Sequence, residues 1–120
     1  MGGYPPPVHP EDSLVAPVPT LSPQQRTDAL ARATAARRAR AELRQGLKSR
    51  AIGLAEVLEA GRTDPVVARM RVTTVVESMP GVGPATAVRI MQELGIAASR
   101  RIRGLGPHQR TALLERFTRV

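Results

Sequence analysis

Residues 79–96 read MPGVGPATAVRIMQELGI, with two glycines held between two prolines directly ahead of a helical pattern. Pro80 cannot continue a preceding helix, Gly81 and Gly83 permit a tight turn at positive φ, and Pro84 suits the first turn of the next helix. Ala87, Ile90, Met91 and Leu94 recur at helical spacing and should form its buried side, with Gly95 ending the helix and Ile96 packing back on it. Glycines make the turn and also strip it of side chains. Its amides then point outward at a helix N-terminus, where unsatisfied N–H groups and the positive end of the dipole suit one phosphate group.

Toward the N-terminus, Asp64-Pro65 is a cap followed by a first-turn proline. It opens VVARMRVTTVVESM, residues 66–79, where Val66, Val67, Met70, Val75, Val76 and Met79 can supply core. The Val-Thr-Thr-Val-Val run has strand propensity, but no second strand-like run exists to pair with it, so one helix is expected. Residues 53–61, GLAEVLEAG, predict a short helix with Leu54, Val57 and Leu58 inward and Gly61 at its end. Ser22-Pro23-Gln24-Gln25 reads as an N-cap, a first-turn proline and a capping-box Gln, and the Ala-, Arg- and Leu-rich segment to about Ser49 predicts one long helix. On it Arg26, Arg37, Arg40, Arg44 and Lys48 gather on one side, with Ala29, Ala36, Leu43 and Leu47 on an adjoining strip. So narrow a strip packs weakly, so the helix is expected to rest on the body near its C-terminal end and to project at the other. Residues 1–20 hold six prolines and no helical period, as expected for an extended arm outside the fold.

Toward the C-terminus, Arg100, Arg101 and Arg103 fall in a short loop or single helical turn. Gly104 to Pro107 then repeat the Gly-x-Gly-Pro device before a final helix lined by Leu113, Leu114 and Phe117. The expectation is therefore all-α, divided into a Pro-rich arm (1–20), a long basic helix (21–50) and a compact helical bundle (51–120).

The chain has 120 residues, enough for one small domain with one modest core. Its 18 Lys and Arg against 10 Asp and Glu leave a formal charge of +8, and Lys48 is the one lysine. Guanidinium groups grip phosphates in forked geometry and stay charged, so the surplus favours a polyanionic partner, nucleic acid first. A membrane surface is the weaker reading, because bulky apolar anchors are scarce among the Arg clusters. The absence of cysteine excludes disulfides, thiol catalysis and a Cys-based zinc site, and no metal or cofactor is expected. No apolar run is long enough for a membrane span, the N-terminus lacks the regions of a signal peptide, and Pro6 breaks the superficial myristoylation signal at Met1-Gly2-Gly3. A cytoplasmic protein is expected.

Met79, Pro80, Gly81, Val82, Gly83, Ala87 and Ile90 match the apolar-Pro-Gly-apolar-Gly…Ala…Ile pattern of the helix-hairpin-helix motif, and the segment resembles that family of non-sequence-specific DNA binders. Two glycine-rich turns flanking an Arg cluster further resemble the helix-two-turns-helix (S13-like H2TH) arrangement of actinobacterial-type integration host factors, which are small nucleoid-associated proteins. The resemblance runs from about Ser22 to the end, through Ser-Pro-Gln-Gln-Arg, Ala-Ala-Arg-Arg, Pro-Gly-Val-Gly and Ser99-Arg100-Arg101-Ile102-Arg103-Gly104-Leu105-Gly106. It implies a largely sequence-tolerant double-stranded DNA binder that bends or compacts the nucleoid, is monomeric in free solution, and can assist a phage or mobile-element recombinase. The implied DNA-binding residues are Gly81, Val82, Gly83, Pro84, Ala85 and Thr86 with Arg100, Arg101 and Arg103. Arg37, Arg40, Arg44 and Lys48 form a second candidate surface. The family often carries Lys after the second glycine. Here Pro84 and Ala85 stand there, so a phosphate grip must rest on backbone amides and on Arg from elsewhere.

Two other classes of function fit the residues less well. An enzyme needs an activated nucleophile or base in a pocket, yet the histidines are His9 in the arm and His108 beside a first-turn proline, and no Gly-Lys-Ser/Thr follows the glycines. No catalytic residue is assigned. A structured-RNA-binding or ribosome-associated protein is the alternative. Tyr4 and Phe117 are the only aromatics for stacking on bases, so duplex backbone is the favoured ligand.

Overall fold

The structure, a computed structural model, describes residues 20–118. All but the last residue of the expected arm lie outside them. The fold is all-α: α1 (Pro23–Lys48), α2 (Leu54–Ala60), α3 (Pro65–Ala68), α4 (Val72–Glu77), α5 (Pro84–Glu93), a 3-10 turn (Ile102–Gly104) and α6 (Pro107–Thr118). Contacts divide the chain into a unit ending at Arg32 and a unit beginning at Ala33.

The first unit contains the start of α1. Ser22 Oγ accepts from the Gln25 amide at 3.1 Å and Gln25 Oε1 accepts from the Ser22 amide at 2.9 Å, the reciprocal capping box that the spacing predicts.

The second unit holds the core. Leu47, Leu54, Val57, Leu58, Val67, Met70, Val72, Val75, Val76, Ala87, Ile90, Met91, Ile96, Ile102, Leu105 and Leu113 are buried, with Leu43, Met79, Leu114 and Phe117 packed against them. Leu47 ties the end of α1 into this core. Replacing such a fully buried Leu with Ala costs about 2–5 kcal/mol. Beside it, buried Ser78 donates to the Thr74 carbonyl at 2.8 Å and accepts from Arg44 Nε at 3.2 Å, so a polar side chain joins α1 to α4 with both of its capacities used. Gly61 ends α2 where a Cβ would stand 2.5 Å from Cγ2 of the buried Ile102, so only glycine allows α2 this close to the 3-10 turn.

The stretch from Pro65 to Ser78 differs from the single helix expected. It breaks into α3 and α4 across Arg69, Met70 and Arg71, where Arg71 is extended at ψ 139. Two long-range bonds win over helix continuation: the Val72 amide donates to the Arg100 carbonyl and the Ile102 amide to the Met70 carbonyl, both at 2.9 Å. Arg71 and Arg101 thereby face each other in an isolated antiparallel bridge. Strand propensity was thus expressed next to the Val run, with the 100–102 loop as partner.

Candidate nucleic-acid interface

The Gly-rich turn is built as its residues dictate, with one correction. The Val82 amide donates to the Met79 carbonyl at 3.1 Å, and Gly81 sits third in the turn with φ 76. Pro80 and Gly81 thus occupy the two middle positions as a type II β-turn requires. Gly83 does not take positive φ: it is the N-cap of α5 with φ −95 and ψ 179, an extended backbone open to any residue. What Gly83 supplies is space, since a Cβ there would meet nothing within 4 Å. Pro84 brings no N–H, so Gly83, Ala85 and Thr86 present the amides at this helix start. Gly81, Gly83, Pro84 and Ala85 are exposed, while Val82 and Thr86 are half-buried. The far end of α5 closes with the Ile96 amide on the Met91 carbonyl (2.9 Å) and the Gly95 amide on the Gln92 carbonyl (3.1 Å), the paired bonds of a Schellman cap.

The Arg loop begins beyond that cap. Thr73, in the first turn of α4, donates its hydroxyl to the Ala98 carbonyl at 3.0 Å, and the Arg71–Arg101 bridge follows. The loop therefore sits at the end of the α4–α5 hairpin opposite the Gly-rich turn. The helix between the two parts, α5, has ten residues and is about 15 Å long. Its three arginines are not equivalent. Arg100 is half-buried, with Nη1 on the Gly104 carbonyl at 3.0 Å and a buried Nε that has no partner. Arg101 Nη1 donates to the Arg69 carbonyl. Arg103 is exposed and makes no side-chain hydrogen bond or ion pair among the described residues, so its fork is free for an anion.

On α1, Arg40 and Arg44 stand one turn apart and line a cleft of about 280 Å³ together with Arg69, Arg71 and Arg101, over a floor of Val66, Met70 and Thr74. Residues expected on two separate surfaces, Arg101 on one and Arg40 and Arg44 on the other, thus share a wall. Lys48 lines an adjoining hollow with Ala41, Arg44, Gln45 and Ser78. Arg37 lines neither cleft, and its Nη2 donates to the Thr34 hydroxyl at 3.2 Å. Arg69 and Arg71 were not among the expected site residues. Their signal was present: in Arg69-Met70-Arg71-Val72 exposed and buried residues alternate with period two, the mark of extended backbone inside a segment read as helix.

Among the described residues no group of three His, Cys, Asp or Glu is placed to hold a metal ion, and no helix is long and apolar enough to cross a membrane. The surface offers backbone amides at one end of a helical hairpin and guanidinium groups at the other and along α1. Both kinds of group can hold phosphate oxygens.

Residues 47–117 match the S13-like H2TH domain family. The chain is 50% identical to an integration host factor of Mycolicibacterium smegmatis over 83% of its own length and 95% of that protein's. It is 46% identical to an integration host factor of Streptomyces coelicolor over 83% of its own length and 94% of that protein's. Its fold is similar to that of the protein sIHF in a structure bound to an 8-base-pair palindromic DNA, with a TM-score of 0.71 and 45% identity over 72% of this chain and 98% of that one. The chain belongs to the integration host factor family of S13-like H2TH proteins.

Proposed function

We propose that this protein binds double-stranded DNA through its phosphate backbone, with little dependence on sequence, and bends or compacts the DNA of the nucleoid. The observation that carries the reading is the family membership, with a relative of 45% identity held on duplex DNA. In this reading the Gly81–Thr86 turn grips one phosphate by its amides, and Arg100, Arg101 and Arg103 serve others, with Arg103 free to engage directly and Arg100 mainly bracing the loop. One duplex can serve both ends of α5: eight base pairs span about 27 Å at 3.4 Å each, against a helix of about 15 Å. Arg37, Arg40, Arg44 and Lys48 add a second contact along α1.

The role is non-catalytic. The protein works as a monomer in the cytoplasm, needs no cofactor, and by bending DNA assists a phage or mobile-element recombinase. Residues 21–50 are its long basic helix and residues 51–120 its H2TH DNA-binding domain.

The test is a titration against matched DNA and RNA duplexes at several salt concentrations. With roughly five phosphates neutralised, log K should fall against log salt with a slope of about −4 to −5 on DNA. A flat dependence would end the electrostatic reading, and a preference for RNA would replace DNA as the ligand.

A further inference from the structure

The cleft between α1 and the α3–α4 elbow gathers five arginines. Arg40 and Arg44 come from α1, Arg69 and Arg71 from the elbow, and Arg101 from the loop bonded to it, with Thr74 on the floor. No Asp or Glu among the described residues lines it. Glu77, the nearest carboxylate in pairing terms, sits 4.0 Å from Arg44 Nη2, outside the lining. Arg71 and Arg101 stand opposite each other in the bridge, a placement in which like charges repel. Backbone bonds on either side hold them there, so the repulsion is built into the fold.

Several donors are free to turn inward. Among the described residues the guanidinium groups of Arg40, Arg69 and Arg71 make no hydrogen bond or ion pair, and the Thr74 hydroxyl makes none either. Arg44 uses Nε on Ser78 and pairs Nη2 with Glu77, and Arg101 uses Nη1 on the Arg69 carbonyl, which fixes both forks while leaving Nη1 of Arg44 and Nη2 of Arg101 open. Forked guanidinium groups suit phosphoryl oxygens in pairs. A volume of about 280 Å³ lies at the lower edge of the roughly 300–1,000 Å³ of small-molecule sites. It suits a chain of two or three phosphoryl groups better than a whole nucleotide.

We propose that this cleft binds a free oligophosphate: the triphosphate of a nucleotide or a short inorganic polyphosphate. Because Arg40, Arg44 and Arg101 also belong to the DNA surface proposed above, the bound anion competes with duplex. That competition rests on the proposed function; the binding does not.

The test is calorimetric titration of the full chain with tripolyphosphate, ATP and orthophosphate at about 0.15 M salt, where exposed charges beyond about 8 Å are screened. One tripolyphosphate should bind per chain. ATP should bind within about threefold of it, since no base contact is invoked, and orthophosphate at least about tenfold more weakly. Arg69→Gln with Arg71→Gln should weaken tripolyphosphate at least about tenfold, while Arg38→Gln with Arg89→Gln removes equal charge elsewhere and should change it less than about twofold. In the wild-type chain, amide resonances of Arg71, Val72, Thr74 and Arg101 should move on titration and those of Gly81 to Thr86 should not, a readout that needs no variant to fold.

Equal weakening in both double variants, or binding of many anions with scattered shifts, would reduce the cleft to a diffuse field and overturn the proposal. So would loss of an eight-base-pair duplex in the Arg69/Arg71 variant as large as the loss of tripolyphosphate, which would make DNA the source of the phosphates. A wild-type chain that binds tripolyphosphate but no duplex would sink the DNA-binding function and leave this site standing.

Discussion

In the proposed function, the two ends of the α4–α5 hairpin hold phosphate by opposite means. At the Gly-rich turn the chain removes side chains, leaving Gly83 with no neighbour within 4 Å of a Cβ, so that backbone can meet a phosphate. At the Arg loop it adds long charged side chains and then restrains two of the three by bonds to the Gly104 and Arg69 carbonyls. Surface made of backbone is rigid and carries only partial charge. Surface made of arginine carries full charge and must be ordered by its neighbours. The same ligand can therefore be lost at one end by filling space and at the other by removing charge.

The sharpest way to break the comparison is Gly83→Glu. The extended φ and empty surroundings accept the side chain, so the variant should melt like wild type. Loss of a charge-assisted backbone contact plus like charge beside the phosphate should weaken duplex binding by about 2–3 kcal/mol, roughly 30- to 150-fold. Unchanged affinity in a filter or fluorescence assay would make the turn a plain joint. Gly81→Ala probes the same end through conformation. At φ 76 an L side chain should cost about 1–2 kcal/mol of stability, read as a lower urea midpoint.

At the other end, Arg103→Ala and Arg100→Ala should part company. Arg103→Ala should leave the melting temperature unchanged, weaken duplex by about 1 kcal/mol and flatten the salt slope by about 0.9. Arg100→Ala should lower stability by about 1 kcal/mol through the lost bond to Gly104, so it cannot be treated as a neutral surface change. The smallest effect is expected on α1. Changing Arg37, Arg44 and Lys48 to Gln keeps helix propensity and should alter short-duplex affinity less than about threefold. Energy transfer between two separately labelled duplexes should fall to background in that variant. If wild-type protein gives no such transfer, the stripe serves one duplex only.

What the sequence disclosed was local. Proline and glycine at positions 80–84 fix a turn and a helix start from neighbouring residues alone, and the same holds for the Ser22–Gln25 box and the Asp64 cap, whose carboxylate accepts from the Val66 amide at 2.9 Å. What stayed hidden depends on residues far apart in the chain. The break at Arg69–Arg71 exists because Met70 and Val72 bond to a segment about 30 residues later. The need for glycine at 61 exists because Ile102 lies against it, and a helix end alone would not have demanded it. Arg40 and Arg44 joined Arg101 for the same reason: helical periodicity places residues on a face but says nothing of what that face meets.

The bridge between Arg71 and Arg101 also bears on when the protein becomes able to bind. Helical hairpins such as α4–α5 rest on local contacts that form early, whereas a pairing across 30 residues waits for loop closure. On that ordering, a half-assembled chain would have its Gly-rich turn formed before its arginines are gathered. Because the complete charge pattern exists only in the finished chain, a polyanion that recognises it draws the folding equilibrium toward that chain, by an amount that grows with the logarithm of its concentration over Kd. In the proposed function, crowded DNA is therefore also a reservoir of stability for the protein bound to it.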